Sequence, residues 1–541
     1  MINNLSKYFL EPFSLDTLSV SDIEDEISNA PFATPYRMLL AKKMSDYESQ
    51  QLMLLNNDRV WMHYMKNADS NIPSIFDQSF LNNLNENSID SKHRLSEGFE
   101  NVESAENLNQ NLEQDMLIAD QEENLIEEIS TQKIVVGRDG RISGSIVSNL
   151  AVNTLLSMGI DVVDLGLSTT PTVEMMVPKL NAGAGIIFTA SHNPKEWNAL
   201  KFLTHTGEFI SGEDGQEIID IIKEGSLIFS DVDHLGKYCT YEGSMEYHIS
   251  EILKYRHVNC EAIQKAGLHV VVDCINSTGA ISLPPLLDAL SVKYTLLNDD
   301  NFGHFAHNPE PLPKHLEQLS QTVIDQKAHL GISVDPDVDR LAFVNEDGSM
   351  FGEEFTLVAV ADYILSREKG NTVSNLSSTR ALADVTNRHG GNYSASAVGE
   401  VNVVNEMKRT NAIIGGEGNG GVIVPDLHYG RDALAGIAIF LSLLAEKGIS
   451  MTELKATYPT YVIIKDKLEL TPSLDLNFIF ANIKERFKNE KINEIDGLKI
   501  DFAEGWVHMR KSNTEPIVRI YCEAKDDVMA QSLIQKVKFI I

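Results

Sequence analysis

From Lys133 to the end of the chain, short apolar runs alternate with segments of helical periodicity, and polar loops follow several of the runs. Such runs are typical of buried strands, and their alternation with helices predicts mostly parallel sheets covered by helices. The pattern of strand plus loop recurs roughly every hundred residues. The sequence therefore predicts several similar α/β units instead of one large sheet.

The first of these loops is TASHNP, residues 189–194, directly after the apolar run 185–188. In open α/β sheets, ligands bind at the carboxyl ends of the strands. The position therefore indicates a functional role for the hydroxyl of Ser191.

A second loop, DPDVDR, carries Asp335, Asp337 and Asp339 directly after the apolar run 330–334. This spacing can bring three carboxylates to one point, where their mutual repulsion raises their pKa values unless a cation binds. Oxygen ligands of this kind suit Mg²⁺. A solvated acidic turn is the alternative interpretation, and the apolar runs on both sides of the loop disfavour it.

The formal net charge of −33 limits the partners that this chain can bind. A surface so acidic repels nucleic acids and anionic lipids, so we expect neither nucleic acid nor membrane as a partner. A phosphate ligand would need a local basic cluster or a bound cation. The four cysteines form no C-x-x-C pair, and no apolar run approaches membrane-spanning length, which predicts a cytoplasmic protein.

The segment RKSNTEPIVR, residues 510–519, is the basic cluster that this argument requires. Guanidinium groups, hydroxyls and loop N–H groups together form a cradle for phosphate. A random basic turn is the alternative, and it is disfavoured in so acidic a chain. The candidate residues are Arg510, Lys511, Ser512, Asn513, Thr514 and Arg519.

A glycine-rich loop, GGEGNGG at 415–421, follows the apolar run 412–414. Glu417 and Asn419 supply the acceptor and the mixed donor and acceptor that recognition of vicinal hydroxyls needs. Glycine-rich loops after strands more often only turn the chain. Together, however, the four loops predict phosphoryl transfer on a phosphorylated sugar. A phosphatase of the haloacid-dehalogenase type is a weaker alternative, because it has no use for TASHNP.

With these four loops in this order, the chain resembles the α-D-phosphohexomutase family from about residue 133 to its end. The family includes phosphomannomutase/phosphoglucomutase and phosphoglucosamine mutase. The resemblance implies three similar mixed-sheet α/β domains and a smaller α+β C-terminal domain around a central cleft.

The four family-like domains are expected at 132–262, 263–370, 371–460 and 461–541, and they carry the serine, metal, sugar and phosphate loops in turn. Ahead of them, residues 1–84 form a helical segment unlike the family. Residues 85–131 read as an acidic, low-complexity linker. We therefore expect a helical or disordered N-terminal appendage.

The resemblance also assigns roles to individual residues. Ser191 corresponds to the serine that is phosphorylated in the active enzyme, and Lys201 to a lysine that assists proton transfer. His192 either orients the serine loop or serves as a structural hydrogen-bonding residue. The implied Mg²⁺ ligands are Asp335, Asp337, Asp339 and an oxygen on phosphorylated Ser191. The implied substrate-binding residues are Arg340, Glu417, Asn419, Arg510, Ser512, Asn513, Thr514 and Arg519.

The implied activity is the interconversion of hexose 6-phosphate and hexose 1-phosphate by an isomerase. A hexose 1,6-bisphosphate is both its intermediate and its activator. We expect glucosamine phosphate as the substrate, with mannose or glucose phosphate as alternatives. We also expect a monomer or homodimer.

The chain departs from the family pattern in two places. No F-G-T-x-G-x-R-G hairpin precedes Lys133, which leaves open an impaired fusion or truncation product that binds sugar phosphate without turnover. The sugar loop also lacks the histidine of the G-E-x-S-G-H pattern. His428, in DLHYGRD, is a candidate substitute for it.

Overall fold

The computed structural model describes residues 130–225, 227–470, 476–511 and 517–539. All of them belong to one structural unit, Ile126–Ile541. Outside the described residues lie the predicted helical segment 1–84, the predicted linker up to residue 129, and Ser512, Asn513 and Thr514.

The first sheet has five strands: β1 (Ser130–Arg138), β2 (Asp161–Leu167), β3 (Ala182–Phe188), β4 (Leu200–Leu203) and β5 (Tyr238–Thr240). Their order is β4-β3-β1-β2-β5, with β4 antiparallel to β3 and all other neighbours parallel. The helices of this part are α1 (Gly144–Ser157), α2 (Thr170–Lys179), α3 (Gly212–Glu224), α4 (Ser244–Lys254) and α5 (Cys260–Ala266).

The second sheet contains β6 (His269–Asp273), β7 (Lys293–Leu297), β8 (Leu330–Val334) and β9 (Leu341–Asn345). The helices between these strands are α6 (Gly279–Ala289) and α7 (Glu317–Gln326). The strand order is β7-β6-β8-β9, and only β9 runs antiparallel to its neighbour.

The third sheet follows helix α8 (Glu353–Leu365). Its elements are β10 (Asn371–Asn375), α9 (Ala381–Arg388), β11 (Tyr393–Ser396), α10 (Glu400–Thr410), β12 (Ala412–Glu417) and β13 (Gly421–Ile423). The order is β11-β10-β12-β13, again with only the last strand antiparallel. After it come helices α11 (Ala433–Lys447) and α12 (Met451–Ala456).

All three sheets share one topology, in which the second strand, the first, the third and an antiparallel fourth lie side by side. The first sheet adds β5 at its edge. In each unit, the loop after the third strand lies at the carboxyl edge of the sheet, where the chain turns back into the fourth strand. These three loops are the predicted serine, metal and sugar loops. The prediction of three similar mixed-sheet α/β domains is confirmed.

Helices α8 and α11 form the centre of the largest apolar core, which the second and third sheets share. Most residues of both helices are buried, 10 of 13 in α8 and 12 of 15 in α11, which fits their largely apolar sequences. Helix α11 begins after Asp432, whose carboxylate accepts a hydrogen bond from the backbone N–H of Ala435. This cap fixes the end of the helix that lies beside the sugar loop.

The C-terminal part is smaller and contains an antiparallel sheet with its own apolar core. Its elements are β14 (Val462–Glu469), α13 (Leu476–Arg486), β15 (Lys491–Asn493), β16 (Leu498–Asp501), β17 (Gly505–Lys511), β18 (Ile517–Ala524) and α14 (Asp527–Lys538). The strand order is β14-β18-β17-β16-β15. This is the predicted α+β C-terminal domain. Among the described residues, no helix combines the length and apolar character needed to cross a membrane.

His508 is a buried histidine where β17 packs against the third sheet. Its Nδ1 lies 2.9 Å from the hydroxyl of Ser377, and its Nε2 lies 2.6 Å from the carbonyl oxygen of Asp496. A neutral ring satisfies both contacts, because it accepts at Nδ1 and donates at Nε2. Burial lowers the pKa of His508 from 6.5 to about 4.

Acid should therefore weaken the fold through His508. Between pH 6.5 and about 4, His508 binds a proton in the unfolded chain but not in the folded chain. Its contribution to the free energy of unfolding is therefore complete above pH 6.5 and is lost as the pH falls towards 4. We expect this group to contribute a loss of about 2 kcal/mol between pH 7 and pH 5. Urea-unfolding midpoints of the wild type and His508→Gln at both pH values isolate this contribution. Equal losses in the two proteins would contradict it.

Candidate active site

The serine loop begins directly after β3 and turns sharply at Ser191. Ser191 has a φ of 47°, a left-handed conformation that costs energy for a residue with a side chain. Its backbone N–H donates to the hydroxyl of Thr189 at 2.9 Å, and that hydroxyl donates to Asp139 at 2.7 Å. These contacts hold the turn in place, with the serine side chain almost fully buried.

The side chain of Arg141 holds the rest of this loop. Arg141 follows β1 and is buried, and its Nε pairs with Asp139 at 2.9 Å. Burial raises the pKa of Asp139 to about 6, and the guanidinium of Arg141 limits this rise. The guanidinium also donates hydrogen bonds to four backbone carbonyl oxygens of the serine loop, those of Ser191, Asn193, Pro194 and Trp197.

Replacing Arg141 by methionine should destabilise the protein by about 3–5 kcal/mol, because Asp139 then stays buried without its cationic partner. The four carbonyl oxygens also lose their donor, so the serine turn should lose its fixed position. Urea-unfolding midpoints measure the loss. As a control, Lys195→Met changes an exposed cation in the same loop and should cost no more than about 0.5 kcal/mol. Equal midpoints for the two variants would contradict this role.

The three predicted acids of the metal loop converge as expected. Asp335, Asp337 and Asp339 are fully buried at the carboxyl end of β8, and one oxygen from each lies within 4.8 Å of the others. The hydroxyl of Ser191 donates to Oδ2 of Asp335 at 2.7 Å. The structure therefore joins the serine loop to the metal loop, which is 144 residues away in the sequence.

These acids fit a hard divalent cation. Within the described part of the chain, Oδ1 of Asp337 and Oδ1 of Asp339 are buried without a hydrogen-bond partner. Buried polar atoms normally have one, so each such oxygen needs an explanation. A set of carboxylate oxygens is the ligand type that Mg²⁺ prefers. The residues present thus fit the predicted ion.

Two cations offset part of the negative charge of this loop. Lys201, on β4, places Nζ 2.6 Å from Asp337 and 3.0 Å from Asp339, and Arg431 lies 2.7 Å from Asp339. Burial raises the pKa of Asp339, but Arg431 and Lys201 outweigh it and hold that pKa far below its usual range. Burial and the two neighbouring carboxylates raise the pKa of Asp335 well above its ordinary value. The least compensated carboxylate is therefore the one that bonds to Ser191.

His192 lies beside the Ser191 hydroxyl, and Arg340 lies beside Asp335. Nδ1 of His192 is 3.4 Å from the Ser191 hydroxyl. Burial lowers the pKa of His192 to about 4, and the positive charge of Arg340 acts in the same direction. The backbone N–H of Arg340 donates to Asp335 at 3.1 Å. His192 is therefore a neutral neighbour of the serine near pH 7.

Arg431 lies between the sugar loop and the metal loop and contacts both. Its guanidinium pairs with Asp339, with Glu417 at 2.9 Å and with Glu400 at 2.9 Å. Glu417 is the last residue of β12, so the strand extends three residues into the segment predicted as loop. Asn419 lies 3.4 Å from the Glu417 carboxylate.

The two arginines of the predicted phosphate cluster lie on neighbouring strands of the fourth sheet. Arg510 on β17 and Arg519 on β18 stand directly opposite each other in the antiparallel pairing. Like charges in this position are unfavourable unless an anion or another partner compensates them. Nε of Arg510 is 3.6 Å from Asp496, which also accepts a hydrogen bond from the backbone N–H of Val398. Arg510 is thereby linked to the third sheet.

Sequence reasoning missed Arg141, Arg431 and Thr170. Thr170, the first residue of α2, donates to Asp337 at 2.6 Å. Arg141 comes shortly after a strand, as the predicted site residues do, so its position in the sequence could have indicated a role in the site. Arg431 lies in DLHYGRD, where only His428 was considered. The structure places His428 3.2 Å from Glu174 and 3.3 Å from Asp432.

Four family models match the chain in sequence order. They describe the phosphoglucomutase/phosphomannomutase alpha/beta/alpha domain I at residues 111–228, domain II at 246–348, domain III at 353–461 and the C-terminal domain at 472–538.

Two relatives support this match. A phosphoglucomutase/phosphomannomutase of Thermococcus kodakarensis is 36% identical over 411 residues, 74% of this chain and 88% of the relative. A probable phosphoglucosamine mutase of Methanopyrus kandleri is 33% identical over 405 residues, with the same coverage of 74% and 88%.

Among solved structures, a phosphoglucomutase/phosphomannomutase family protein of Burkholderia thailandensis matches with a TM-score of 0.65 and 26% identity. The match covers 76% of this chain and 88% of that one. The relatives are named as mutases, which are isomerases. The resemblance inferred from the four loops is confirmed: the chain belongs to the phosphoglucomutase/phosphomannomutase family.

Proposed function

We propose that this chain interconverts hexose 6-phosphate and hexose 1-phosphate, with Ser191 as the residue that carries the transferred phosphoryl group. The observation that supports this most directly is the hydrogen bond between the buried Ser191 hydroxyl and Asp335, beside two further buried carboxylates. A hydroxyl held against a metal-binding loop is suited to accept and return a phosphoryl group.

Asp335, Asp337 and Asp339 would hold Mg²⁺ together with an oxygen of the phosphoryl group on Ser191. When bound, Mg²⁺ would neutralise charge on the phosphoryl oxygens at the reacting end. A phosphoserine carries about −1.5 to −2 charges, which adds to a loop that is already acidic. Arg141 and Thr189 keep the serine turn fixed throughout, because their contacts involve the backbone and leave the side chain of Ser191 free to react.

Lys201 is the candidate for proton transfer to and from the sugar hydroxyl. Its Nζ lies beside Asp337 and Asp339, within the region where the reacting groups must meet. Burial lowers the pKa of Lys201, but the two carboxylates outweigh burial and raise it above its usual value. In this arrangement Lys201 carries a proton and can donate it at the reacting oxygen.

The remaining contacts would select and hold the substrate. Glu417 and Asn419 would bind sugar hydroxyls at the end of β12, and Arg340 would bind near the reacting phosphate. Arg510 and Arg519, with Ser512, Asn513 and Thr514, would hold the phosphate that is not reacting. Because the two phosphates exchange places, the bisphosphorylated sugar must turn around between the two half-reactions.

We propose glucosamine phosphate as the sugar, with mannose and glucose phosphates as the alternatives. One relative is named as a probable phosphoglucosamine mutase and another as a phosphoglucomutase/phosphomannomutase.

A coupled assay with glucosamine, mannose and glucose phosphates, primed with the matching 1,6-bisphosphate, tests the proposal on the full chain. We expect turnover that requires Mg²⁺, together with intact-mass detection of one phosphoryl group on the protein. Binding of sugar phosphate without turnover and without phosphoprotein would instead support the impaired product that the missing N-terminal hairpin suggests.

A further inference from the structure

A second cluster of potential metal ligands lies among buried side chains and shares no residue with the acidic loop. It contains His248 on α4, His428 in the segment after β13, and Asp432 at the start of α11. Nε2 of His248 is 2.9 Å from Oδ2 of Asp432, and Nε2 of His428 is 3.3 Å from the same oxygen. Two imidazole nitrogens and one carboxylate oxygen thus face one point.

The opposite nitrogen of each imidazole is held by helix α2. Nδ1 of His248 lies 2.9 Å from the hydroxyl of Thr172, and Nδ1 of His428 lies 3.2 Å from Oε2 of Glu174. Histidines that bind metals through one nitrogen typically have the other held by a hydroxyl, carbonyl or carboxylate oxygen. The ring of His248 has that arrangement, the ring of His428 lies at ion-pair distance from Glu174, and both turn Nε2 towards Asp432.

Glu174 adds a buried negative charge beside the cluster. Its side chain is 1% exposed, and its contact with Nδ1 of His428 has an ion-pair distance without the geometry of a hydrogen bond. A buried carboxylate is costly unless nearby positive charge compensates it. Residue 430 is glycine, and a Cβ atom there would lie 1.8 Å from Oε2 of Glu174. The glycine therefore leaves room for the carboxylate.

The charges of the cluster match a divalent cation. Asp432 and Glu174 place two carboxylates inside the protein, and the ion pairs that they form among the described residues are with His248 and His428. Zn²⁺ binds histidine nitrogens together with carboxylate oxygens and accepts three protein ligands. Mg²⁺ instead prefers all-oxygen sets such as Asp335, Asp337 and Asp339.

We propose that His248, His428 and Asp432 bind a Zn²⁺ ion, with Thr172 and Glu174 orienting the two imidazoles. The ion would join helix α4, which follows the first sheet, to the start of helix α11, which follows the third sheet. Asp432 directly follows Arg431, which pairs with both Asp339 and Glu417. The site would therefore be structural, fixing the segment that positions Arg431 between the metal and sugar loops.

The test uses the full chain, loaded with Zn²⁺ and dialysed against metal-free buffer, with zinc measured by mass spectrometry of the elements. We expect about one equivalent of zinc per wild-type chain and a loss of this zinc in His248→Gln and His428→Gln. His234→Gln, at a histidine whose side chain is 77% exposed, is the matched control and should retain zinc. Asp337→Asn should retain it too, since the acidic loop is a separate site.

Two further measurements do not depend on the folding of a ligand variant. Co²⁺ added to the wild type in place of Zn²⁺ should give the strong visible absorption of a four-coordinate site. Thr172→Val keeps the shape of a buried side chain and should weaken the affinity for zinc about 10–100-fold. Zinc content in the wild type no higher than in His248→Gln would overturn the proposal. So would weak, six-coordinate Co²⁺ absorption, and both results would leave a hydrogen-bonded network of the same residues.

Discussion

Replacement of Ser191 by alanine should lower turnover by at least about 10⁴-fold, even when the 1,6-bisphosphate is supplied. The physical reason is that the hydroxyls of Thr189 and Thr170 already have other partners. Thr189 already donates to Asp139 and accepts from the backbone of residue 191, so its oxygen is committed to holding the turn. Thr170 donates to Asp337 and lies on a different segment.

The measurement is the coupled assay together with the intact mass of the purified protein. Ser191→Ala should carry no phosphoryl group, whereas the wild type should carry one. Ser145→Ala, at an exposed serine of α1, is the matched control and should keep both activity and phosphorylation. Because alanine also has to adopt the left-handed backbone at this position, unfolding midpoints must show that the variant is folded. Full activity of a folded Ser191→Ala protein would refute the assignment.

Asp337→Asn should have the second-largest effect, a loss of turnover of about 100-fold or more at saturating Mg²⁺. Asparagine keeps the volume of the side chain but removes one charge from the three acids, so the loop attracts a cation less strongly. Lys201 keeps its contact with Asp339, so we expect the protein to remain folded.

Thermal unfolding with and without Mg²⁺ separates metal binding from catalysis. A ligand at 100 times its Kd stabilises the native state by about 2.7 kcal/mol, and this gain should be present in the wild type and absent in Asp337→Asn at the same concentration. Asp325→Asn, at an exposed acid of α7, should behave as the wild type does. An unchanged Mg²⁺-dependent stabilisation in Asp337→Asn would exclude the acidic loop as the metal site.

The sequence alone determined which segments form strands and which loops carry chemistry. The apolar run 330–334 is the strand β8, and the serine, metal and sugar loops all follow the third strand of a similar sheet. These features depend on residues that are close together in the sequence, because a short apolar run followed by a helix that can cover it forms a buried strand. The strands carry each loop to the carboxyl edge of its own sheet, whereas the contact of Ser191 with Asp335 joins two sheets and was expected from the resemblance to the family.

Only the tertiary structure decided which side chains hold these loops in position. Arg431 pairs with Asp339 across 92 residues, and Lys201 pairs with Asp337 across 136 residues. Arg141 is buried under the serine loop, and Glu174 faces His428 from helix α2. A charged residue in a sequence is expected to be exposed to solvent. Each of these residues is buried or partly buried instead, because another segment of the chain supplies a partner for it. Such pairings depend on how separately formed sheets pack together, which no local pattern encodes.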